Sequence, residues 1–247
     1  MGFTAHFVDR VKSILTPMAG SDSDEPLLTA KGRATRDRII DCATELILSE
    51  GFSGLSIDKV RKAASVSGSQ MTHYFTDKNS LLGAIVSRRT QVLLDFHRHP
   101  ALGDLDTFDD FDRWAELTMR FGRRKKRVTA VPTFGPLVVE LSKCDDKTRD
   151  LLAQGYREWS ELLTAGLQRM KDRGELVPEA NTAQLAFVLM SAHQGGDMLT
   201  LAYRRPWPDH EALKFALSYL RMFASPDRPS APQKAARQHT RRAGQKP

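Results

Sequence analysis

The stretch Ser56–Phe75, SIDKVRKAASVSGSQMTHYF, carries start signals for two short helices about eleven residues apart. Ser56 is placed to cap a helix whose apolar stripe is Ile57, Val60 and Ala64. Ser67 is placed to cap the next, with Met71, Tyr74 and Phe75 on its inner side. Between them lies Ala64-Ser65-Val66, a corner of small residues with one apolar plug. Two helices crossing steeply over such a corner leave the outer face of the second one free, which is how a helix-turn-helix offers a helix to a DNA major groove. That face would be Gly68, Ser69, Gln70, Thr72 and His73, all small or polar and none carrying a fixed charge. Side chains of this kind read base edges, while positive charge can sit on the flanks.

Extending the stretch in both directions gives TRDRIIDCATELILSEGFSGLSIDKVRKAASVSGSQMTHYFTDKNSLLGAIV, from Thr35 to Val86. This resembles the N-terminal domain of the tetracycline-repressor (TetR) family of bacterial transcription regulators. The resemblance runs through the opening Thr35-Arg36, the Ile39/Ala43/Leu46 stripe, the turn Glu50-Gly51-Phe52 and the Ser56-Ile57 start. It continues through Val66-Ser67, the closing Tyr74-Phe75, and Lys78 with Leu81-Leu82 entering a fourth helix. Departures are Ser65 where the family commonly has Gly, Thr72 where Tyr is frequent, and His73-Tyr74 where Arg or Tyr and then His are usual.

Position by position, the resemblance implies a DNA-contacting set. Thr35 is expected to cap helix 1 and meet a phosphate, with Arg36 beside it supplying charge. Ser56 does the same at helix 2, where exposed amides favour an anion. Ser67, Ser69, Thr72 and Tyr74 are expected along phosphate and sugar, with a core or hinge role as the alternative for Tyr74, and Gly68 belongs to the same outer face. Gln70 and His73 are the expected base readers, Gln for its bidentate match to adenine. Lys78 matches the family's phosphate-binding lysine, and Lys31 and Arg33, expected just before helix 1, form a candidate minor-groove arm.

Charge supports this division. The 247 residues carry 37 Lys and Arg against 30 Asp and Glu, a net +7. Residues 31–100 hold +4 and residues 225–247 hold +5, while residues 101–224 cancel and residues 1–30 hold −2. Local basicity suits a phosphate backbone, and a neutral middle suits a different ligand. The two cysteines, Cys42 and Cys144, are far apart and make no disulfide framework, as expected of a reducing cytoplasm. Cys144 follows a cation, Lys143, which would favour a reactive thiolate, but Asp145 and Asp146 oppose it. No run approaches a membrane span of roughly 18 apolar residues, and Asp9, Arg10 and Lys12 interrupt any signal-peptide core.

After the helix-turn-helix the periodicity stays helical. Helices are expected over about 77–97, 107–123, a short piece after Pro132, 145–172 closed by Gly174, one from Asn181-Thr182, and a last over 209–223. The fold class is therefore all-α: an N-terminal three-helix helix-turn-helix domain plus a C-terminal helical domain. Four segments follow: an extension over 1–30, the DNA-binding domain over 31–78, the helical domain over 79–224 and a basic, disordered tail over 225–247. A short amphipathic helix within the first 16 residues is the alternative to a loose extension.

The resemblance also implies what the helical domain does: binding a small molecule whose presence swings helix 4, and forming a homodimer through the last two long helices, the eighth and ninth in order. Candidate lining residues are Trp114, Met119, Phe121, Phe134, Trp159, Leu163, His193, Gln194 and Met198. An aromatic and Met stripe also reads simply as core. No acidic pair or cationic cluster flanks the aromatics, which favours an apolar or neutral effector oriented by His193 and Gln194. Gly195-Gly196 sits mid-helix, where glycine costs about 1 kcal/mol relative to alanine; a closely crossing helix, from the partner or the same protomer, would explain it. No catalytic constellation, cofactor loop or metal-ligand spacing occurs, and His97 and His99 fall on different helix faces. The reading is a non-enzymatic, cytoplasmic, ligand-responsive regulator, expected to be a repressor, that binds a palindromic double-stranded operator as a dimer. A sequence-tolerant DNA-binding accessory protein is the alternative, supported by the basic tail.

Overall fold

The computed structural model describes residues 28–124, 134–135 and 137–226, without the side chains of 120–124. The expectations for the first 16 residues, most of the 1–30 extension and nearly all of the 225–247 tail lie outside the described residues. Within them the architecture is all-α: α1 Ala30–Glu50, α2 Ile57–Ala63, α3 Gly68–Tyr74, α4 Lys78–His97, α5 Phe108–Arg124, α6 Leu137–Leu141, α7 Asp146–Asp172, α8 Thr182–Tyr203 and α9 Trp207–Arg221.

Helix α1 starts earlier than its apolar stripe suggests. Thr29 is the cap, its hydroxyl accepting from the Gly32 amide at 3.1 Å. Thr35, expected as the cap, is instead buried inside the helix and donates its O–H to the Lys31 carbonyl at 2.9 Å. Lys31 and Arg33, expected ahead of the helix, stand in its first turn. The reason is physical: Ala, Lys and Arg propagate a capped helix well without any apolar periodicity to announce it.

The two caps read from sequence hold. The Ser56 hydroxyl accepts from the Lys59 amide at 3.2 Å, and Ser67 from the Gln70 amide at 3.1 Å. At the corner, the Ser65 amide donates to Lys62 and the Val66 amide to Arg61, closing α2 in a Schellman turn. That turn puts Ser65 at φ 52°, in the left-handed region. The Arg38 Nε of α1 donates to the Ala64 carbonyl at 2.9 Å, and Val66 plugs the core beneath.

Helix α4 carries the chain from one half to the other. Asp77 and Ser80 cap it reciprocally, and Leu81, Leu82, Ile85 and Val86 are buried in its first half. Its second half buries Leu93, Leu94, Phe96 and His97 among α5 and α7. Gly155 of α7 allows this approach: a Cβ there would run into the Thr90 hydroxyl and come within 2.7 Å of Phe134. His97 Nδ1 donates to the Leu93 carbonyl at 2.7 Å. Its Nε2 accepts two indole N–H groups, from Trp114 at 3.0 Å and Trp159 at 2.9 Å. Burial pulls the His97 pKa down to about 3, so the ring is a neutral acceptor that ties three helices together.

Two predictions follow from these contacts. Ser65→Gly removes the left-handed strain and should stabilise the fold by about 1 kcal/mol, read as a rise of roughly 2–4 °C in melting temperature. An unchanged or lower melting temperature would mean that the serine side chain compensates the strain. Between a folded pKa of about 3 and an ordinary value of 6.5, the unfolded chain binds the His97 proton and the folded chain does not. That contribution is complete above the ordinary value and is lost as pH falls below it, at up to about 1.4 kcal/mol per pH unit. Denaturant titrations across this range should show a shallower pH slope in His97→Gln than in the wild type; an identical slope would show that other groups carry the dependence.

Candidate nucleic-acid interface

Helix α3 is only seven residues long and could not persist alone in water. Its caps, Met71 and the C-cap Phe75 anchor it, both side chains buried in the N-terminal core. Gly68, Ser69, Gln70, Thr72 and His73 are then all exposed, as the sequence implied. These outward groups are not equally free. Gln70 closes a capping box, its Oε1 accepting from the Ser67 amide at 2.9 Å, so its base-reading capacity competes with a structural bond. Ser67 and Ser69 hydroxyls lie 3.0 Å apart, and the Thr72 hydroxyl donates to the Gly68 carbonyl at 3.0 Å. His73 meets Tyr74 edge-on at 4.9 Å between ring centres. Tyr74 is half-buried, its hydroxyl 3.5 Å from where a Cβ on Gly32 would stand, which suits a residue that braces α3 against α1.

Around this face the cations divide into two groups. Lys59 pairs with Glu50, and Arg61 and Lys62 both pair with Asp58, so the charge of α2 is largely answered within the protein. Lys31 and Arg33 are exposed on the first turn of α1. Arg36 lies over the Phe75 ring at 5.5 Å. The Lys78 ammonium sits 3.8 Å from the Phe52 ring centre and 3.4 Å from the Phe52 carbonyl, a position that also closes the turn after α1.

That turn is held from the other side by a residue the sequence reading missed. Glu140 of α6 accepts the Phe52 amide at 2.8 Å through one carboxylate oxygen and Lys143 at 3.0 Å through the other. The amide bond first, then the lysine, hold the Glu140 carboxyl below the usual range. No local motif marks it, because its partner is 88 residues away in sequence. Beside it runs a groove of about 380 Å³ lined by Ile47, Leu48, Gly51, Val139, Glu140 and Met198. Met198, expected inside a ligand pocket, is exposed and belongs to this groove. Five residues along α8 from His193, it is turned well away from the interior face.

The other candidate lining residues separate by role. Trp114, Phe134, Trp159, Leu163 and His193 are fully buried, and Met119 packs partly buried against them. The Phe121 side chain lies outside the described residues. Both indole N–H groups are taken by His97, so Trp114 and Trp159 serve as apolar walls. His193 Nδ1 faces Asp209 at 3.1 Å, while its Nε2, both amide ends of Gln194 and the Thr118 hydroxyl are buried without a partner among the described residues. Sequence reading also missed Arg89, a buried guanidinium on α4 whose pKa burial pulls down to about 10 against the opposing charge of Asp197. Its signal was legible: Arg89 interrupts the stripe Leu82, Ile85, Val86 and Leu93. Burial and Asp145 push the Cys144 thiol up, which argues against a thiolate there. No described helix is long and apolar enough to cross a membrane.

Comparison with known proteins gives one answer in both halves of the chain. Residues 39–85 match the family described as bacterial regulatory proteins, tetR family, and residues 133–216 match the tetracyclin repressor-like C-terminal domain. The HTH-type transcriptional regulator UidR of Escherichia coli K12 is 26% identical over 174 residues, covering 68% of this chain and 82% of that one. The probable HTH-type transcriptional regulator YttP of Bacillus subtilis is 37% identical over 54 residues, 22% of this chain and 26% of its own. A TetR transcriptional regulator of Chloroflexus aurantiacus shares the fold, with a TM-score of 0.68 at 20% identity over 79% of this chain and 98% of that one. The seven-residue helix with its free polar face, the doubly anchored α4 and these two matched halves lead to one conclusion: the chain belongs to the TetR family of bacterial regulatory proteins.

Proposed function

We propose that this protein is a repressor that binds a palindromic operator as a homodimer and leaves it when a small molecule occupies the helical domain. The proposed division of labour is DNA reading by residues 31–78 and ligand binding and dimerisation by residues 79–224. The observation that carries this reading is the exposed face of α3, uncharged and flanked by Lys31 and Arg33. Base contacts come from His73 and the free amide end of Gln70, and phosphate and sugar contacts from the flanks, Ser56, Ser67, Ser69 and Thr72.

The dimer face is read from α8 and α9. Phe187, Ser191, Gly195, Leu199 and Tyr203 recur every four residues along α8, and all are exposed. On α9 and just past its end, Phe215 is 74% and Met222 77% exposed. Such an i±4 ridge with small residues at its centre fits the ridges-into-grooves packing of a second helix. The glycine pair divides accordingly. A Cβ on Gly196 would lie 2.6 Å from the Asp209 Cα of α9, so this glycine serves packing within the protomer. A Cβ on Gly195 would meet nothing within 4 Å, which leaves room for the partner.

On DNA, His73→Ala should lower the ratio of operator to random-sequence affinity by about 1–3 kcal/mol, while Lys31→Ala should weaken both alike and reduce the salt slope by about one. Fluorescence anisotropy at several salt concentrations separates the two effects. A wild-type protein without sequence preference at fixed salt would favour the accessory-protein reading instead.

Gly195→Leu has space within the protomer and gains helix propensity, yet it should weaken the dimer at least tenfold, as overpacking by about 1–3 kcal/mol requires. Sedimentation equilibrium measures this. Unchanged dissociation at full helical content would place the interface elsewhere.

A further inference from the structure

The geometry points to an uncharged effector that brings its own O–H or N–H donor to the His193–Gln194 face of α8, beside an acceptor. This deepens the proposal that the helical domain binds a small molecule and rests on it. Four buried polar groups carry the inference: His193 Nε2, the Gln194 amide oxygen, the Gln194 amide nitrogen and the Thr118 hydroxyl, none with a partner among the described residues. Three of them belong to two consecutive residues of α8. His193 is fully buried, its ring 5.8 Å from Trp114 of α5 and 6.1 Å from Trp159 of α7, edge-on to both. Thr118 lies one turn beyond Trp114 on α5, and Gln194 follows His193 directly.

Their chemistry selects the ligand. His193 Nδ1 faces the Asp209 carboxylate, which can only accept, so in the neutral imidazole that nitrogen carries the hydrogen. Nε2 is then a bare acceptor, and the Gln194 oxygen is a second one. A carboxylate or phosphate offers acceptors only and would leave both unmet. The charges nearby are already answered: Asp197, three residues beyond Gln194 and buried, opposes the buried Arg89, and Asp209 faces His193. A further ionic group would therefore enter a low-dielectric interior without a counter-charge, which is costly. A hydroxyl or amide N–H satisfies His193, an adjacent carbonyl or hydroxyl takes the Gln194 amide, and a flat ring lies against the indole walls.

Calorimetry on the full chain at mildly alkaline pH tests this with three ring probes. These are para-hydroxybenzamide, its donor-free counterpart N,N-dimethyl-para-methoxybenzamide, and the anionic para-methoxybenzoate. Para-hydroxybenzamide should bind at least about tenfold more tightly than either of the others, the difference one satisfied buried hydrogen bond makes. Gln194→Met keeps the side-chain volume and removes both unmet amide groups. It should narrow the preference, because the His193 acceptor remains, and raise the melting temperature of the ligand-free protein by about 2–4 °C, since unmet buried polar atoms penalise the folded state. Equal binding of the three probes, tighter binding of the benzoate, no binding by any, or a lower melting temperature of Gln194→Met would each overturn the inference. None of these readouts involves DNA, so a protein that still prefers an operator and dimerises would lose this ligand assignment alone.

Discussion

Helix α4 is built into two cores at once, and the rest of the molecule is arranged around that constraint. Its first half supplies Leu81, Leu82, Ile85 and Val86 to the packing under α1, where Arg88 also pairs with Asp37 at 2.9 Å. Its second half ends on His97, whose one acceptor nitrogen holds two indoles from α5 and α7. A close-packed interior does not deform smoothly, so α4 is poorly placed to shift at one end while staying fixed at the other. Glu140 adds a second tie by accepting the amide of the turn that follows α1. The three-helix unit is thus held to the body through a long helix and a short bond, and the proposed ligand response would have to act through one of them.

The interior of the body is chemically divided around α4. The aromatic walls are saturated: both indoles have partners, and His97 has both nitrogens engaged. Among the described residues the unsatisfied buried groups lie on α5 and α8, and Arg89 of α4 is a buried cation opposed by Asp197 of α8. A molecule bonded to His193 and Gln194 would change the surroundings of Asp197 and hence of Arg89. In the proposed mechanism the route from ligand to reading helix would run through the buried charges of Asp197 on α8 and Arg89 on α4.

Most of the fold was legible because its signals are local. Ser56, Ser67 and Asp77 announce three helix starts by chemistry alone, and Gly174 at φ 74° closes α7 as its position implied. The same local rule failed at Thr35, where a second threonine six residues upstream provides the cap and no apolar residue larger than alanine marks the intervening turns. The family resemblance located the polar face of α3 but could not show that Gln70 spends its oxygen on the capping box. Met198 was misplaced because α8 is apolar on nearly every side, so hydrophobicity there does not distinguish interior from surface. Glu140 and the unmet atoms around His193 depend on contacts between distant helices, which no spacing rule encodes.

Helix α8 resolves that ambiguity by serving two neighbours. Its inner face sets His193, Gly196 and Asp197 toward the core, with Gly196 pressed so closely on α9 that any side chain would strike the Asp209 backbone. Its outer face carries Phe187, Leu199 and Tyr203 around the small Ser191 and Gly195. Because Asp209 both receives the His193 ring and abuts Gly196, α8 and α9 are locked into one body. In the proposed dimer two such bodies would face each other and form the stationary part. The polar groups left unmet on the inner face of α8 would then belong to the fixed side of the ligand site, and α4, joined to that side across the core, would be the side that moves.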